Sequence, residues 1–182
     1  RTISVLERES GRAVDDVYLS WPDSRPLSSL SERIGSVQGV NVLGIRRSRE
    51  VPGAFPDLDL LTQVLATAAR GVDTLVDMAA FAFGADWAAS VSYTSGVPEV
   101  LYASTGAGDA VVVPDSAVIR PVTMEIDGVA LAVTPLERFG AVLVCGRAGT
   151  PAFHRAELER IRRVTELAVE LVQADSAMTP AS

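Results

Sequence analysis

Apolar and polar residues alternate near the start of the chain, on both sides of a short polar segment. The apolar members of this alternation are Ile3, Val5, Val17, Leu19 and Trp21, and residues 9–12 separate the two runs. A period of two places every second side chain on the same face of a β-strand. The pattern therefore predicts an antiparallel hairpin with one buried face.

Helical spacing replaces this alternation after the hairpin. Pro26 suits the first turn of a helix, and Asp23 and Ser24 are candidates for its N-cap. The apolar stripe of this helix comprises Leu27, Leu30, Ile34 and Val37, and we expect it to pack on the hairpin. Gly39 ends the helix, and the apolar run at residues 40–45 predicts a third strand.

The rest of the chain is helical at its start and at its end. Two helices in series are predicted first, with Gly71 between them and Gly84 after the second. A long amphipathic helix at residues 155–174 closes the pattern. Between them lie five predicted strands, at residues 87–93, 99–104, 118–126, 129–134 and 141–147. Asp127 and Gly128 predict a two-residue turn between the third and fourth strands, because both positions of that turn need a positive φ.

These patterns divide the chain into two modules. The first spans residues 1–47 and the second spans residues 57–174. Residues 48–56 contain two prolines and a glycine without periodicity, so we predict a linker there. Residues 175–182 are small and polar and are expected to fray. The predicted fold class is α+β, with a truncated ferredoxin-like ββαβ half followed by a five-stranded, mainly antiparallel sheet flanked by helices.

Composition restricts the kind of protein that this chain can be. It has 182 residues, of which 48% are hydrophobic, enough for one domain or two small ones. No apolar run reaches the roughly 20 residues that cross a bilayer, and no secretion signal is recognisable. We therefore expect a cytoplasmic protein that has no membrane partner.

Charge and residue usage exclude several functions. All 16 basic residues are arginine, so the chain has no lysine for a Schiff base or a P-loop. The net charge of −7 opposes binding to nucleic acid, whose affinity for proteins comes largely from basic side chains. The lack of lysine and the single asparagine, Asn41, also indicate a GC-rich bacterial genome.

The single cysteine and the single histidine limit the possible catalytic chemistry. Cys145 lies in an apolar strand, where a buried thiol is unreactive, so we interpret it as a core residue. A lone cysteine also excludes an internal disulfide. His154 precedes the last helix with Glu157 three residues later, which is the spacing of a capping box. We interpret His154 as the N-cap, with a general base as the alternative.

Carboxylates and one glycine-rich loop are further candidates for a site. The acidic pairs are Asp15 with Asp16, Asp57 with Asp59, and Glu157 with Glu159. Solvated or helix-capping roles are expected for all three pairs. The glycine-rich loop at residues 106–109 lacks the following helix that an anion site needs, so it is predicted to be a turn. We expect no metal and no cofactor.

The first module resembles the second half of an ACT domain, which is a small ferredoxin-like regulatory module. The resemblance is carried by the hairpin, by the helix pattern Leu27-x2-Leu30-x3-Ile34 and by the turn into Gly39-Val40-x-Val42. A ferredoxin-like half of another kind is the alternative. The resemblance implies that the first strand, the first helix and the ligand loop of the module precede residue 1. It therefore assigns no ligand-binding residue.

The second module resembles a GAF domain, which is a PAS-like sensory α/β sandwich. The resemblance is carried by the strand at residues 140–147, by Phe153 and by the helix start Glu157-Leu158-x2-Ile161. In that family a phenylalanine at this point anchors the last helix. A generic α+β domain is the alternative.

The GAF resemblance also implies where a ligand would bind. Ligand-binding GAF domains have helices between their second and third strands, whereas only residues 105–116 fill this gap here. We therefore expect a reduced pocket. Strand residues that could line it are Tyr93, Tyr102 and Met124, although core packing explains them equally well.

Together the two resemblances imply a non-catalytic regulatory or sensory protein. The ACT resemblance implies that it binds an amino acid or a similar small metabolite through the first module. The long terminal helix resembles those through which GAF domains dimerise, so a homodimer or homo-oligomer is expected. The alternative is a protein–protein interaction or dimerisation scaffold without a small-molecule ligand. No enzyme activity is expected, because no catalytic arrangement is recognisable.

Overall fold

Two units make up the chain, Arg1–Val51 and Pro52–Ser182. The computed structural model describes residues 2–9, 12–45, 55–108, 111–149 and 152–178. Most of the predicted linker, residues 48–56, lies outside these described residues. The two units are therefore described separately.

The first unit contains the predicted hairpin and the predicted helix. Strand β1 (Thr2–Glu9) pairs antiparallel with β2 (Arg12–Tyr18), and the register shifts once, between Val5 and Glu7. Helix α1 (Leu27–Gly35) follows. Its N-cap is Pro26, which gives no side-chain hydrogen bond, so the prediction that Asp23 or Ser24 caps this helix is wrong.

A further prediction for the first unit is wrong, and another concerns side chains that are largely outside the described set. In helix α1, Leu27, Leu30 and Ile34 are half-buried, but most side chains of the hairpin on which this stripe is predicted to pack are not described. Residues 40–45 form no strand. Val40 and Leu43 are exposed there, and an apolar run becomes a strand only where another strand pairs with it and its side chains are covered. The ββαβ order expected from the ACT resemblance is therefore not confirmed.

A five-stranded antiparallel sheet forms the second unit, as predicted. Its strands are β3 (Trp87–Ser92), β4 (Glu99–Ala103), β5 (Val122–Ile126), β6 (Val129–Leu136) and β7 (Ala141–Ala148). Their order across the sheet is β4-β3-β7-β6-β5, and every neighbouring pair is antiparallel. The chain thus enters the sheet next to its centre, at β3, and leaves it from the central strand β7.

The turns of the sheet follow the sequence signals in most cases. Asp127 and Gly128 have φ values of 52° and 76°, which confirms the predicted turn between β5 and β6. Strand β5 begins at Val122 rather than at residue 118, directly after Pro121, which has no N–H to donate to a neighbouring strand. Residues 104–121 therefore form a longer connection than predicted, and no helix is present in its described part.

Three α-helices belong to the second unit. Helices α2 (Pro56–Ala66) and α3 (Gly71–Ala82) are the predicted pair, joined through a 3-10 turn at Ala68–Arg70. Gly71 is the first residue of α3 rather than an interruption. Helix α4 (Arg155–Met178) confirms the predicted long helix but continues four residues beyond it. Residues 175–178, which were assigned to the tail, thus form the last turn of α4.

The core of the second unit lies on both faces of the sheet. On one face α2, α3 and α4 bury a cluster that includes Leu60, Leu75, Leu143, Cys145 and Ile161. On the other face Trp87, Val91, Leu131 and Val133 are covered by Ala107, Val111, Val112, Val113 and Val118 from the connection at residues 104–121. The sheet thus separates a helical layer from a layer formed by irregular chain.

Candidate functional site

A cleft opens at one end of the five-stranded sheet, on the face that the connection 104–121 covers. The ends of β3 and β6 and the start of β7 meet there. The cleft has a volume of about 190 Å³. Its lining residues are Tyr93, Ala117, Val118, Ile119, Pro135, Glu137, Gly140, Ala141 and Val142.

Local backbone features position these residues. Tyr93 directly follows β3, and its hydroxyl donates a 2.7 Å hydrogen bond to the carbonyl oxygen of Pro114. This bond ties the connection 104–121 to the sheet. Gly140 has a φ of 60°, which turns the 3-10 segment Glu137–Phe139 into β7, and its N–H donates to the carbonyl oxygen of Glu137.

The walls of the cleft are mostly apolar. Pro135 and Val142 contribute from the sheet, and Val118 and Ile119 contribute from the connection. Ile119 is 78% exposed, so a large aliphatic side chain faces solvent beside the opening. Glu137 is the one charged residue of the lining. The pKa of Tyr93 is raised, mainly because the side chain of Tyr93 is partly buried and to a smaller extent because Asp115 carries a negative charge nearby.

The three residues that were predicted to line a pocket lie at different places in the structure. Tyr93 lines the cleft. Tyr102 belongs to the opposite face of the sheet, where its hydroxyl donates to the carboxylate of Asp77 on α3 at 2.9 Å. That hydrogen bond is the main reason why the pKa of Tyr102 is raised. Met124 packs on the cluster around Trp87 but does not line the cleft.

The volume of the cleft is small for a ligand site. Pockets for drug-sized ligands usually measure about 300–1,000 Å³. Val111, Val112 and Val113 pack directly against the sheet and occupy space that a larger ligand would need. The cleft that the described residues line is small and open to solvent and lies at the end of the sheet.

The single cysteine and histidine have the structural environments that the sequence predicted. Cys145 is fully buried in the helical face of the sheet, and burial raises the pKa of its thiol to about 12. The backbone N–H of His154 donates to Glu157 at 2.7 Å, and Nδ1 of His154 accepts from the N–H of Ala156 at 3.3 Å. These two bonds form the predicted capping box at the start of α4.

Arginines contact members of both acidic pairs whose side chains are described, whereas Asp59 is exposed. Asp57 forms two hydrogen bonds with Arg160, and Glu159 is contacted by both Arg162 and Arg163. The side chains of Asp15 and Asp16 lie outside the described set. Within that set, no group of three or more potential metal ligands comes together.

The described part of the glycine-rich loop is a turn, as predicted. Its Ala107 N–H donates to the carbonyl oxygen of Ser104 at 2.9 Å. A Cβ at Gly106 would lie 2.7 Å from the carbonyl oxygen of Asp86, so only glycine fits there without a shift. The loop therefore has a packing role next to β3.

A buried ion pair joins β7 to α4, and the sequence analysis missed it. Nη2 of Arg147 lies 2.9 Å from Oε1 of Glu157, and both side chains are at least nine-tenths buried. The guanidinium also donates to the carbonyl oxygens of Phe83 and Gly84 after α3, and it stacks 4.0 Å from the ring centroid of Phe153. Arg147 thus links three elements around the C-terminus of α3, where a positive charge is favourable.

The sequence contained a signal from which the buried position of Arg147 could have been predicted. Arg147 continues the alternation of Leu143 and Cys145 in β7, which places a charge on a buried face and calls for a partner. For the cleft no comparable signal existed. Glu137, Ile119 and Val142 come from separate segments that only the folded sheet brings together.

Comparisons with known proteins give a similarity in structure but none in sequence. No protein-family model matches the chain, and no curated protein matches it. Among solved structures, it is similar to the GAF domain of a protein assigned as a sensor histidine kinase from Pseudomonas syringae pv. tomato, with a TM-score of 0.48 and 12% sequence identity. The similarity covers 68% of this chain and 91% of that one. In the described part of this chain, no helix is both long and apolar enough to span a bilayer.

Proposed function

We propose that this chain is a non-catalytic regulatory protein whose second unit binds a small molecule in the cleft at the end of its sheet. The observation that carries the proposal is the cleft itself, with apolar walls, one carboxylate and an exposed Ile119 at its opening. Concave apolar sites with a few polar groups are typical of small-molecule binding. Binding at this place requires no residue from the first unit.

A regulatory role rather than an enzymatic one is favoured by the state of the reactive groups. The thiol of Cys145 is buried and protonated at neutral pH. The ring of His154 accepts a hydrogen bond from the backbone of α4 and thereby serves as a helix cap. Neither side chain lines the cleft. The binding of an amino acid through the first, ACT-like module stays a prediction from resemblance.

The proposal is tested by a thermal-shift screen of the full chain with amino acids, nucleotides and small metabolites. A ligand present at 100 times its Kd should stabilise the protein by about 2.7 kcal/mol. The variant Ala117→Trp narrows the opening from an exposed position and should abolish the shift. The matched control Leu101→Trp, at an exposed position of β4, should leave it intact. An equal shift in both variants would refute binding in the cleft.

A second candidate function is self-association through α2 and α4. Arg160 of α4 contacts Asp57 at the start of α2, and Val172 of α4 lies against Gly71 beyond its end, so the two helices run parallel and side by side. Leu58, Leu65 and Leu167 are 58%, 52% and 55% exposed on this pair of helices. Aliphatic side chains exposed in this way favour a helical dimer interface.

Sedimentation of the full chain tests this second function. A dimer at micromolar concentration should dissociate in the variant Leu65→Glu/Leu167→Glu, since charge would then be buried at the interface. The variant Leu101→Glu, on the exposed strand β4, is the matched control and should stay dimeric. If the wild-type protein still sediments as a monomer at roughly 100 μM, a concentration at which a weak dimer would form, the result excludes a dimerisation role.

A further inference from the structure

The size of the cleft restricts its ligand to a few heavy atoms. A cavity of about 150 Å³ with aliphatic walls accommodates benzene, which has six heavy atoms. The cleft measures about 190 Å³ and is open on one side. Its walls at Pro135, Val142 and Ile119 are aliphatic, so they suit a short aliphatic chain rather than a polar ring.

The charged group that lines the cleft is negative. Glu137 lines it, and within the described residues this carboxylate has no ion pair. The neighbouring Arg138 is directed to Glu170 of α4, at 3.4 Å. A second carboxylate, Asp115, is near enough to contribute to the raised pKa of Tyr93. Besides Arg138, Arg120 is the other cation that directly follows a lining residue in the sequence, after Ile119.

The neutral polar group in the lining is also a hydrogen-bond acceptor. The hydroxyl of Tyr93 uses its hydrogen in the bond to the carbonyl oxygen of Pro114. Its remaining hydrogen-bonding capacity is the lone pairs on oxygen. The side-chain groups offered by Tyr93 and Glu137 therefore both require a ligand that donates hydrogen bonds. An ammonium group has three donors and no acceptor, and its charge matches the carboxylate.

We infer that the cleft binds a small aliphatic ligand that carries a positive charge, such as a primary amine, with the charged group at Glu137 and the hydrocarbon part against Ile119, Pro135 and Val142. This inference rests on the proposed function and specifies the ligand class for the same cleft. The net charge of −7 favours the approach of such a cation from a distance.

Three compounds with one carbon skeleton test the inference: 3-methylbutylamine, 3-methylbutan-1-ol and 3-methylbutanoate. Their dissociation constants are measured at pH 7 on the full chain by NMR titration, with the perturbed backbone signals used to locate the site. We expect the amine to bind at least about tenfold more tightly than the alcohol, as is usual for a charge-assisted hydrogen bond, and the carboxylate to bind most weakly.

Two variants test whether the affinity for the amine depends on the charge of Glu137 or on the shape of the cleft. In Glu137→Gln the affinity for the amine should fall to that for the alcohol, while the affinity for the alcohol stays unchanged. Glu125→Gln removes an exposed carboxylate from β5 and should leave all three affinities unchanged. Because both side chains are exposed, both variants should retain the melting temperature of the wild type.

The other results would overturn the inference in distinguishable ways. Equal binding of amine and alcohol in the cleft would leave the proposed function standing and refute the role of Glu137. Tighter binding of the carboxylate, lost in Arg120→Gln, would assign the opposite charge to the ligand. If none of the three compounds perturbs the cleft but another compound from the screen does, only this inference fails. If no compound perturbs the cleft, the proposed function fails as well.

Discussion

At the scale of single residues, Arg147 and Glu157 form an ion pair that is almost completely buried. Taking two charges out of water is costly, and their mutual attraction compensates for this only when both are present. Glu157 also caps α4 through the N–H of His154. The pair therefore fixes the position of the start of α4 relative to β7 and to the end of α3.

Removal of Arg147 should destabilise the protein strongly. In Arg147→Met, Glu157 remains buried without its partner, and we expect the free energy of unfolding to fall by about 3–5 kcal/mol in urea denaturation. The double variant Arg147→Met/Glu157→Gln should recover a large part of this loss, because glutamine is neutral and still accepts the capping bond.

The exposed ion pair between Arg138 and Glu170 is the control for this prediction. Its side chains are 59% and 65% exposed, so Arg138→Met should cost less than about 1 kcal/mol. Equal losses in Arg147→Met and Arg138→Met would show that the buried pair contributes no more than a surface pair.

Cys145 should be unreactive in the folded protein. Burial raises the pKa of its thiol to about 12, so almost no thiolate exists at pH 8. We expect no labelling by a disulfide reagent at pH 8 in the native state and complete labelling of one thiol in 6 M guanidinium, a concentration above the usual unfolding range. Rapid labelling of the native protein would contradict the buried position.

The same thiol should make stability depend on alkaline pH. Between the unfolded pKa near 9 and the folded pKa of about 12, only the unfolded state loses the proton, so stability falls as the pH rises. This contribution is fully present below pH 9. Relative to Cys145→Ala, the wild type should lose up to about 1.4 kcal/mol per pH unit above pH 9 in denaturant titrations.

At the scale of elements, α4 packs closely against the start of α3. A Cβ added to Gly71 would overlap the side chain of Val172 on α4. Gly71 has a helical φ of −52°, which any residue can adopt. A glycine is therefore needed here because a larger residue would collide with Val172, and not because of the backbone conformation. Val172 is itself buried in the helical face of the core.

Gly71→Ala should therefore lower stability even though alanine is the better helix former. We expect a loss of about 1–3 kcal/mol from overpacking, measured by thermal or urea unfolding. The second-site variant Val172→Ala should make the substitution tolerable, with Gly71→Ala costing less in that background than in the wild type. Additive losses in the double variant would argue against the contact.

Periodicity predicted most elements of the second unit but was less reliable at their ends. Strand β5 starts four positions later than its apolar run, because Val118 packs on the sheet from the connection and Pro121 cannot donate to the ladder. Leu167 continues the apolar stripe of α4, yet it is 55% exposed. A stripe shows which face of an element is apolar, but not whether another element covers it.

At the scale of the whole molecule, the core formed by the residues whose burial is described belongs to the second unit. Among residues whose burial is described, every buried one lies between Leu60 and Val172. In the first unit, α1 contains no buried residue. Stability of the chain should therefore come mainly from Pro52–Ser182.

The fragment 52–182 should fold on its own. We expect a single cooperative transition by calorimetry, with a melting temperature within about 4 °C of that of the full chain, which corresponds to a change of roughly 1 kcal/mol. The fragment 1–51, as the comparison, should show no cooperative transition. Loss of the transition from the fragment 52–182 would mean that the first unit contributes to the stability of the second.

The sequence by itself determined the local features of this protein. The turn at Asp127 and Gly128, the capping box of His154 and Glu157, and the order of helices and strands in the second unit depend on residues a few positions apart. Backbone conformation and short hydrogen bonds act over that distance, so the pattern of residue types is sufficient.

Only the tertiary structure decided which residues meet across the chain. The buried pair of Arg147 and Glu157 and the cleft formed by Tyr93, Ile119 and Glu137 combine segments that belong to different elements. The apolar run at residues 40–45 had a strand pattern and formed no strand. Burial and pairing are properties of the packed molecule, because a side chain is covered only when a distant part of the chain is brought against it.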